Sequence, residues 1–261
     1  MSIKDSIKQY IPDSLLDSFG KLKVGVLQVK LFFGGIYFTW FSKVYRKNDI
    51  VLNVPLELTN FNFRGRFVFD LYEKEESEHL EKHLSPDAKV LELGACLGFI
   101  SCLTNKQLKN KDKHVVLEAN PNLIEWINKN KEENECEFAV ENCIISHQEK
   151  NEFFIHRLIV GGSTKRETPN RVEVKGVSFE DLEKKYGFNF DTLIMDIEGG
   201  ELDILRNHIE GIRGFKKIFF EVHPFSNILT QSEARECEDI LVAEGFENVL
   251  KDKNFQVWEK R

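Results

Sequence analysis

From residue 86 to the C-terminus, short apolar runs alternate with segments of helical length, and no other feature constrains the fold as tightly. "AKVLELG" reads as a strand, 98–109 as a helix, and "KHVVLEA" as a strand. A helix over 121–133 follows, opened by Asn120 as cap with Pro121 in its first turn. "CEFAVENCIIS", "NEFFIHRLIV" and "RVEVKGV" are strand-like, "SFEDLEKKY" is a capped helix, "FDTLIMD" a strand, "GELDILRNHI" a helix and "KKIFFEV" a strand. A helix over 231–245 and a closing pair, "NVL" and "NFQVWEK", complete the series. Repeated strand-helix-strand units need right-handed crossovers between parallel strands. The expected fold is therefore α/β, a doubly wound and mostly parallel Rossmann-like sheet.

Residues 1–60 have a different character. Leu15, Phe19, Leu22, Val26, Val29, Phe33, Trp40 and Val44 recur at nearly helical spacing, which predicts an N-terminal amphipathic helical extension at 1–60 ahead of a domain at 61–261. Such helices mostly cover their own sheet or a partner subunit, which makes a homodimer through the N-terminal helices one option, with a membrane-surface role as the weaker alternative. The most apolar stretch, 31–41, is shorter than the roughly 20 residues of a membrane span, so no transmembrane segment is expected. Phe61, Phe63, Phe67 and Phe69 alternate with other residues as a half-buried strand would. The N-terminus has no secretory pattern and the five cysteines show no paired CxxC spacing, which points to reduced thiols and a cytoplasmic protein. A net charge of −7 argues against sequence-independent nucleic-acid binding, which needs an excess of Lys and Arg.

Three of the predicted strands end in acids: "VLELGACLG" at 90–98, "TLIMDIEGGELDIL" and "IFFEVHP". In a doubly wound sheet, ligands bind at the carboxyl ends of strands, where strand order reverses. Gly94 and Gly98 permit a tight turn and close approach of a ligand to the backbone. Glu118, at the end of the next strand, is the acid that two ribose hydroxyls require. The turn reads Glu-x-Gly-x-x-x-Gly rather than GxGxxG, and an acid beside the glycines disfavours a pyrophosphate while tolerating a cationic ligand.

"VLELGACLGFIS", "VVLEANP", "MDIEGGELDIL" and "IFFEVHP", in that order, resemble the FkbM-type family of S-adenosylmethionine-dependent methyltransferases, a class I group whose members mostly O-methylate sugars or related hydroxyls. The resemblance covers about 70–258, and its most specific piece is DxEGxE, met by Asp196, Glu198, Gly199 and Glu201. It implies that Glu92, Gly94, Ala95 and Gly98 hold the methionine half of the cofactor, Glu118 the ribose, and Glu141 with Asn142 the adenine edge. Two positions depart from the family pattern: Cys96 in the middle of the glycine turn, and Ile194 where the family often has Lys.

Methyl transfer to a hydroxyl needs donor and acceptor held in line and a group to take the proton. Asp196 or His223 is expected as general base, with Glu198 and Glu221 orienting acceptor hydroxyls. Against this stand two plainer roles: Asp196 as a cap of the helix that follows, and His223 as a turn histidine before Pro224. The same residues, Asp196, Glu221 and His223, offer a site for Mg²⁺ or another divalent ion. The loop 158–171, with Ser163, Lys165 and Arg166, is a candidate to lie over a sugar or phosphate. The expected partner is a sugar or glycan acceptor. A non-catalytic cofactor-binding subunit of a glycan assembly complex, a methyltransferase of non-sugar small molecules and an NAD-dependent oxidoreductase remain alternatives.

Overall fold

The computed structural model describes residues 13–155, 168–224 and 229–261, with side chains from residue 24 onward. The chain divides into two compact units, one of residues 1–43 and 59–72, the other of residues 44–58 and 73–261. The boundary expected at residue 60 falls inside this arrangement, because the chain leaves the helical unit at 44, contributes a hairpin to the larger unit, and returns.

The helical unit consists of α1 (Asp13–Tyr37), continued by a π-helical turn at Phe38–Ser42, and α2 (Phe61–Val68). The strand expected from Phe61, Phe63, Phe67 and Phe69 is thus a helix. Asn60 caps it, its side chain accepting from Phe63 N at 2.8 Å. The two helices touch backbone to backbone. A Cβ on Gly35 would stand 1.8 Å from the Phe61 carbonyl oxygen, and one on Gly65 would stand 2.0 Å from that of Leu31. No larger residue fits at either crossing. The phenylalanines fill the unit: Phe67 lies 4.7 Å from Tyr72, 5.3 Å from Phe38 and 5.4 Å from Phe63, centroid to centroid. Among the described residues, the window Val24–Ser42 is long and apolar enough to cross a membrane by length and composition, extending beyond the 31–41 stretch on both sides.

The larger unit carries a seven-stranded sheet in the order β11-β12-β10-β9-β3-β4-β5. Its members are β3 (Val90–Leu93), β4 (His114–Leu117), β5 (Ala139–Glu141), β9 (Thr192–Met195), β10 (Lys217–Glu221), β11 (Phe246–Asp252) and β12 (Phe255–Lys260). Strands β5, β4, β3, β9 and β10 run parallel, and β12 and β11 close the far edge antiparallel. All four residues of β3, β4 and β9 are buried, as expected of parallel strands covered on both faces. The chain goes from β3 outward to β4 and β5 on one side, and then returns to β9 and β10 on the other. Strand order therefore reverses beside β3, where a doubly wound sheet opens its binding crevice. A three-stranded sheet, β6 (Cys143–Ile145), β8 (Arg171–Val177) and β7 (Lys150–Phe154), is inserted between β5 and β9.

The covering helices are α3 (Lys74–His83), α4 (Phe99–Gln107), α5 (Pro121–Glu133), α6 (Phe179–Tyr186), α7 (Glu201–Asn207), α8 (Ile209–Ile212) and α9 (Gln231–Ala243). Asn120 caps α5 as expected, and α6 and α9 each begin with a full capping box. The hairpin β1 (Val44–Lys47) and β2 (Ile50–Asn53), unforeseen in the helical reading of 1–60, is held by two asparagines of α5 and its C-cap. Asn130 Oδ1 accepts from Asn53 N at 2.7 Å, and Asn134 exchanges bonds with the Val51 backbone at 2.8 and 2.7 Å. One turn apart on the helix, the two side chains satisfy the outward backbone groups that a neighbouring strand would otherwise meet.

Candidate active site

Strand register assembles the site. Phe220, Met195, Leu93, Leu117 and Glu141 pair across β10, β9, β3, β4 and β5 as one transverse row. One residue further along each strand come Glu221, Asp196, Gly94, Glu118 and Asn142. Residues up to 127 positions apart in sequence thus share one rim because parallel strands were cut to the same length.

Gly94 starts the turn after β3 at φ 88°, and a Cβ there would stand 1.8 Å from the carbonyl oxygen of Asp196. The glycine is required by its neighbour's backbone as well as by its own dihedral. Cys96 takes a left-handed conformation at φ 49°, and its N–H donates to Glu118 Oε2 at 2.9 Å. Gly98, at φ 79°, opens α4. Glu118 Oε1 also accepts from Asn120 N at 2.7 Å. An acceptor-only carboxylate at this place suits the hydroxyls of a ribose. Burial lifts the Glu118 carboxyl to about 7, against the lowering effect of the Asn120 and Cys96 N–H groups.

Not every expected cofactor residue offers its side chain. Glu92 is 1% exposed and both of its oxygens are engaged, by Ser101 Oγ at 2.5 Å and by the His114 ring at 3.1 Å. It braces β3 against α4 and β4. The Glu141 carboxylate is held by Lys185 Nζ and Tyr186 Oη, and the Asn142 amide donates to the carbonyls of Glu118 at 2.8 Å and Ala119 at 3.1 Å. These contacts tie β5 to its surroundings, and Glu141 Oε2 and Asn142 Oδ1 take no part in them. Ala95 is buried within the turn.

Around His223, just past β10, stand four carboxylates. Nδ1 is 3.6 Å from Asp196 Oδ1 and 3.6 Å from Glu201 Oε1, and Nε2 is 3.7 Å from Glu221 Oε1 and 3.9 Å from Glu198 Oε1. Burial would lower the histidine's pKa, but Asp196 foremost, then Glu201, Glu198 and Glu221, carry it up to about 10. The four surrounding acids thus favour the protonated imidazole. Burial raises Asp196 to about 7; His223 opposes the shift, while Glu198, Glu201 and Glu118 add to it. Asp196 caps no helix. The N-cap of α7 is Gly200, which makes no side-chain cap bond, and Asp196 Oδ1 accepts no hydrogen bond among the described residues. Glu198, at φ 50°, and Gly199, at φ 96°, form the bend that turns the DxEG segment back over the rim.

Two contributors escaped the sequence reading. Glu201 is fully buried with neither oxygen hydrogen-bonded among the described residues. Glu76, in the first turn of α3, is buried beside Glu221; burial, then Glu221, Asp196 and Glu73, raise its pKa well above the carboxylate range. Its signal was Leu80 one turn on, also buried, on a helix otherwise crowded with charge. Asp196, Glu221 and His223 each offer one donor atom, all within 4.8 Å of one another, and two oxygens with one nitrogen suit a hard divalent cation. Ser163, Lys165 and Arg166 lie outside the described residues.

The sequence matches the Methyltransferase FkbM domain over residues 92–248, more than half of the chain. No curated protein sequence matches it. Among solved structures it is similar to a protein of the NADB-Rossmann superfamily from Streptococcus agalactiae (15% identity, 71% of this chain and 68% of that one, TM-score 0.45). Others are precorrin-6y C5,15-methyltransferase from Geobacter metallireducens (15%, 72% and 88%, 0.45) and an O-methyltransferase from Bacillus cereus in complex with SAH (12%, 70% and 76%, 0.41). At that level these likenesses bear on neither chemistry nor substrate. The FkbM match runs from Glu92 through the DIEGGE segment and the His223 rim to Asn248, and the chain belongs to the FkbM family of S-adenosylmethionine-dependent methyltransferases.

Proposed function

We propose that the protein transfers a methyl group to a hydroxyl of a sugar or glycan, with Asp196 as the general base. The observation that carries this reading is the position of Asp196: its backbone abuts Gly94 of the cofactor turn while its carboxylate pairs with His223 at 3.6 Å. S-adenosylmethionine, when bound, supplies a methyl group on a sulfonium centre. The acceptor oxygen would bond to the methyl carbon as the C–S bond breaks, a neutral thioether would leave, and Asp196 would take the hydroxyl proton. His223 stands within 4 Å of all four carboxylates, so it serves as the cation that fixes their positions rather than as the proton acceptor. Glu198 and Glu221 are acceptor-only groups at the rim, suited to orient vicinal hydroxyls, and this favours a sugar over an acceptor with one isolated hydroxyl. Glu118 holds the ribose, and Gly94, Ala95 and Gly98 line the methionine half.

A second reading adds a divalent ion, favoured by the three donor atoms of Asp196, Glu221 and His223 within 4.8 Å. Such an ion acidifies a coordinated diol. Turnover unchanged by exhaustive chelation removes it.

The test of the whole reading is mass spectrometry of free sugars, nucleotide sugars and glycans incubated with enzyme and isotope-labelled donor. A labelled O-methyl product supports it. Donor binding by calorimetry with no product across hydroxyl acceptors would favour the non-catalytic subunit, and label on nitrogen or carbon would overturn the O-methyl assignment.

A further inference from the structure

Nine of the eleven exposed large apolar side chains among the described residues lie between Val24 and Phe41. The buried positions of this stretch, Leu31, Gly34, Gly35 and Phe38, follow the side packed on α2. Val26, Val29, Phe33, Tyr37 and Trp40 recur at three- and four-residue steps, as one stripe along the opposite side. Phe33, Trp40 and Phe41 are 64%, 73% and 78% exposed, so the larger rings gather toward the C-terminal end.

The charge of the unit says what kind of surface covers this stripe. Residues 1–43 and 59–72 hold eight Lys and Arg against four Asp, a net +4 within a chain of −7. From Ser18 to Asn48 there are six basic residues and no acid. A second copy would bring like charge against like charge, whereas an anionic lipid surface complements it. An apolar stripe with aromatic rings and basic neighbours is the pattern of a helix lying in a membrane interface. Its partner α2 carries Asn62, Arg64 and Arg66, with Asp70 just beyond, and these disfavour burial of the pair in the hydrocarbon core.

We propose that α1 and its π-helical extension dock the protein on an anionic membrane surface, lying in the headgroup region through the Val26–Trp40 stripe. The inference stands apart from the methyl-transfer reading and neither depends on the other.

The test is co-sedimentation of the full chain with phosphatidylglycerol-containing vesicles and with pure phosphatidylcholine vesicles, together with Phe33→Glu/Trp40→Glu. Both side chains are exposed, so the variant is expected to keep the parent melting temperature and donor affinity. The parent should partition at least about tenfold more strongly into anionic vesicles, with high salt and the double variant each abolishing the difference. Equal binding to both vesicles, or none, overturns the proposal. So does a dimer in ultracentrifugation that the double variant dissociates in the absence of any vesicle binding. A binding variant that retains donor affinity but lacks turnover would concern the active site alone.

Discussion

Asp196 Oδ1 lies 3.6 Å from His223 Nδ1, joining the end of β9 to the residues just past β10. The pair sits at the edge of the cofactor turn because a Cβ on Gly94 would collide with the carbonyl of Asp196 at 1.8 Å. In the proposed role of base, Asp196 would be positioned before any acceptor arrives, and preorganisation of this kind carries much of a rate enhancement.

Asp196→Asn keeps the shape of the side chain and removes its capacity to take a proton. Turnover should fall by about 10²–10⁴-fold, the usual range for a lost general base, while donor affinity by calorimetry changes little. A parallel loss of both would assign Asp196 to cofactor binding instead.

Glu118 gives the cofactor site a pH dependence. Its carboxyl is raised from 4.5 to about 7, so between those values the folded protein holds a proton that the unfolded chain has released. Its contribution to stability is therefore fully present below about 4.5 and is lost as pH rises through about 7. Ribose hydroxyls donate to the ionised form, so donor affinity should rise with pH across the same region and level off above it. Calorimetry from acid to alkaline pH should show this inflection, and Glu118→Gln should flatten it.

Glu201 anchors His223. It is fully buried 3.6 Å from the imidazole, whose pKa it helps to raise. Glu201→Leu removes one partner of a buried ion pair, so it should lower stability by about 3 kcal/mol, read from denaturant midpoints, and lower turnover by loosening His223. A variant more stable than the parent would mean that the burial cost of the carboxyl outweighs its pairing.

Asn130 links the hairpin to the cofactor turn. It is fully buried, bonds the Asn53 backbone, and donates to the Leu97 carbonyl at 2.9 Å. Asn130→Ala should cost about 2–3 kcal/mol through the polar groups it orphans. Hydrogen exchange at Asn53 should quicken with it, whereas a change confined to α5 would remove the linking role.

Residues whose roles depend on neighbours close in sequence were legible before folding was considered. The Asn120–Pro121 start of α5, the capped α6, and the acids ending β4, β9 and β10 each carry their meaning within a few residues. The Phe61–Phe69 segment was misread because alternation over nine residues fits either a strand or a helix whose rings find partners on another element. What decided it was Gly65 meeting Leu31, a contact more than thirty residues distant in sequence. The partners of Glu92 and Glu141 met the same limit, since Ser101, His114, Lys185 and Tyr186 reach those carboxylates from across the fold.

The order of strands and helices, the glycine turn and the acidic strand ends follow from local patterning, and with them a doubly wound sheet of the methyltransferase kind. Tertiary structure alone decided that Glu221, Asp196, Gly94, Glu118 and Asn142 share one rim, that Glu76 is buried beside Glu221 and Glu201 beside His223, and that the hairpin at 44–53 belongs with the larger unit. The reason is physical: hydrophobic periodicity and capping act over a turn or two of chain, whereas register, burial and the electrostatics they create arise only when strands distant in sequence are hydrogen-bonded side by side.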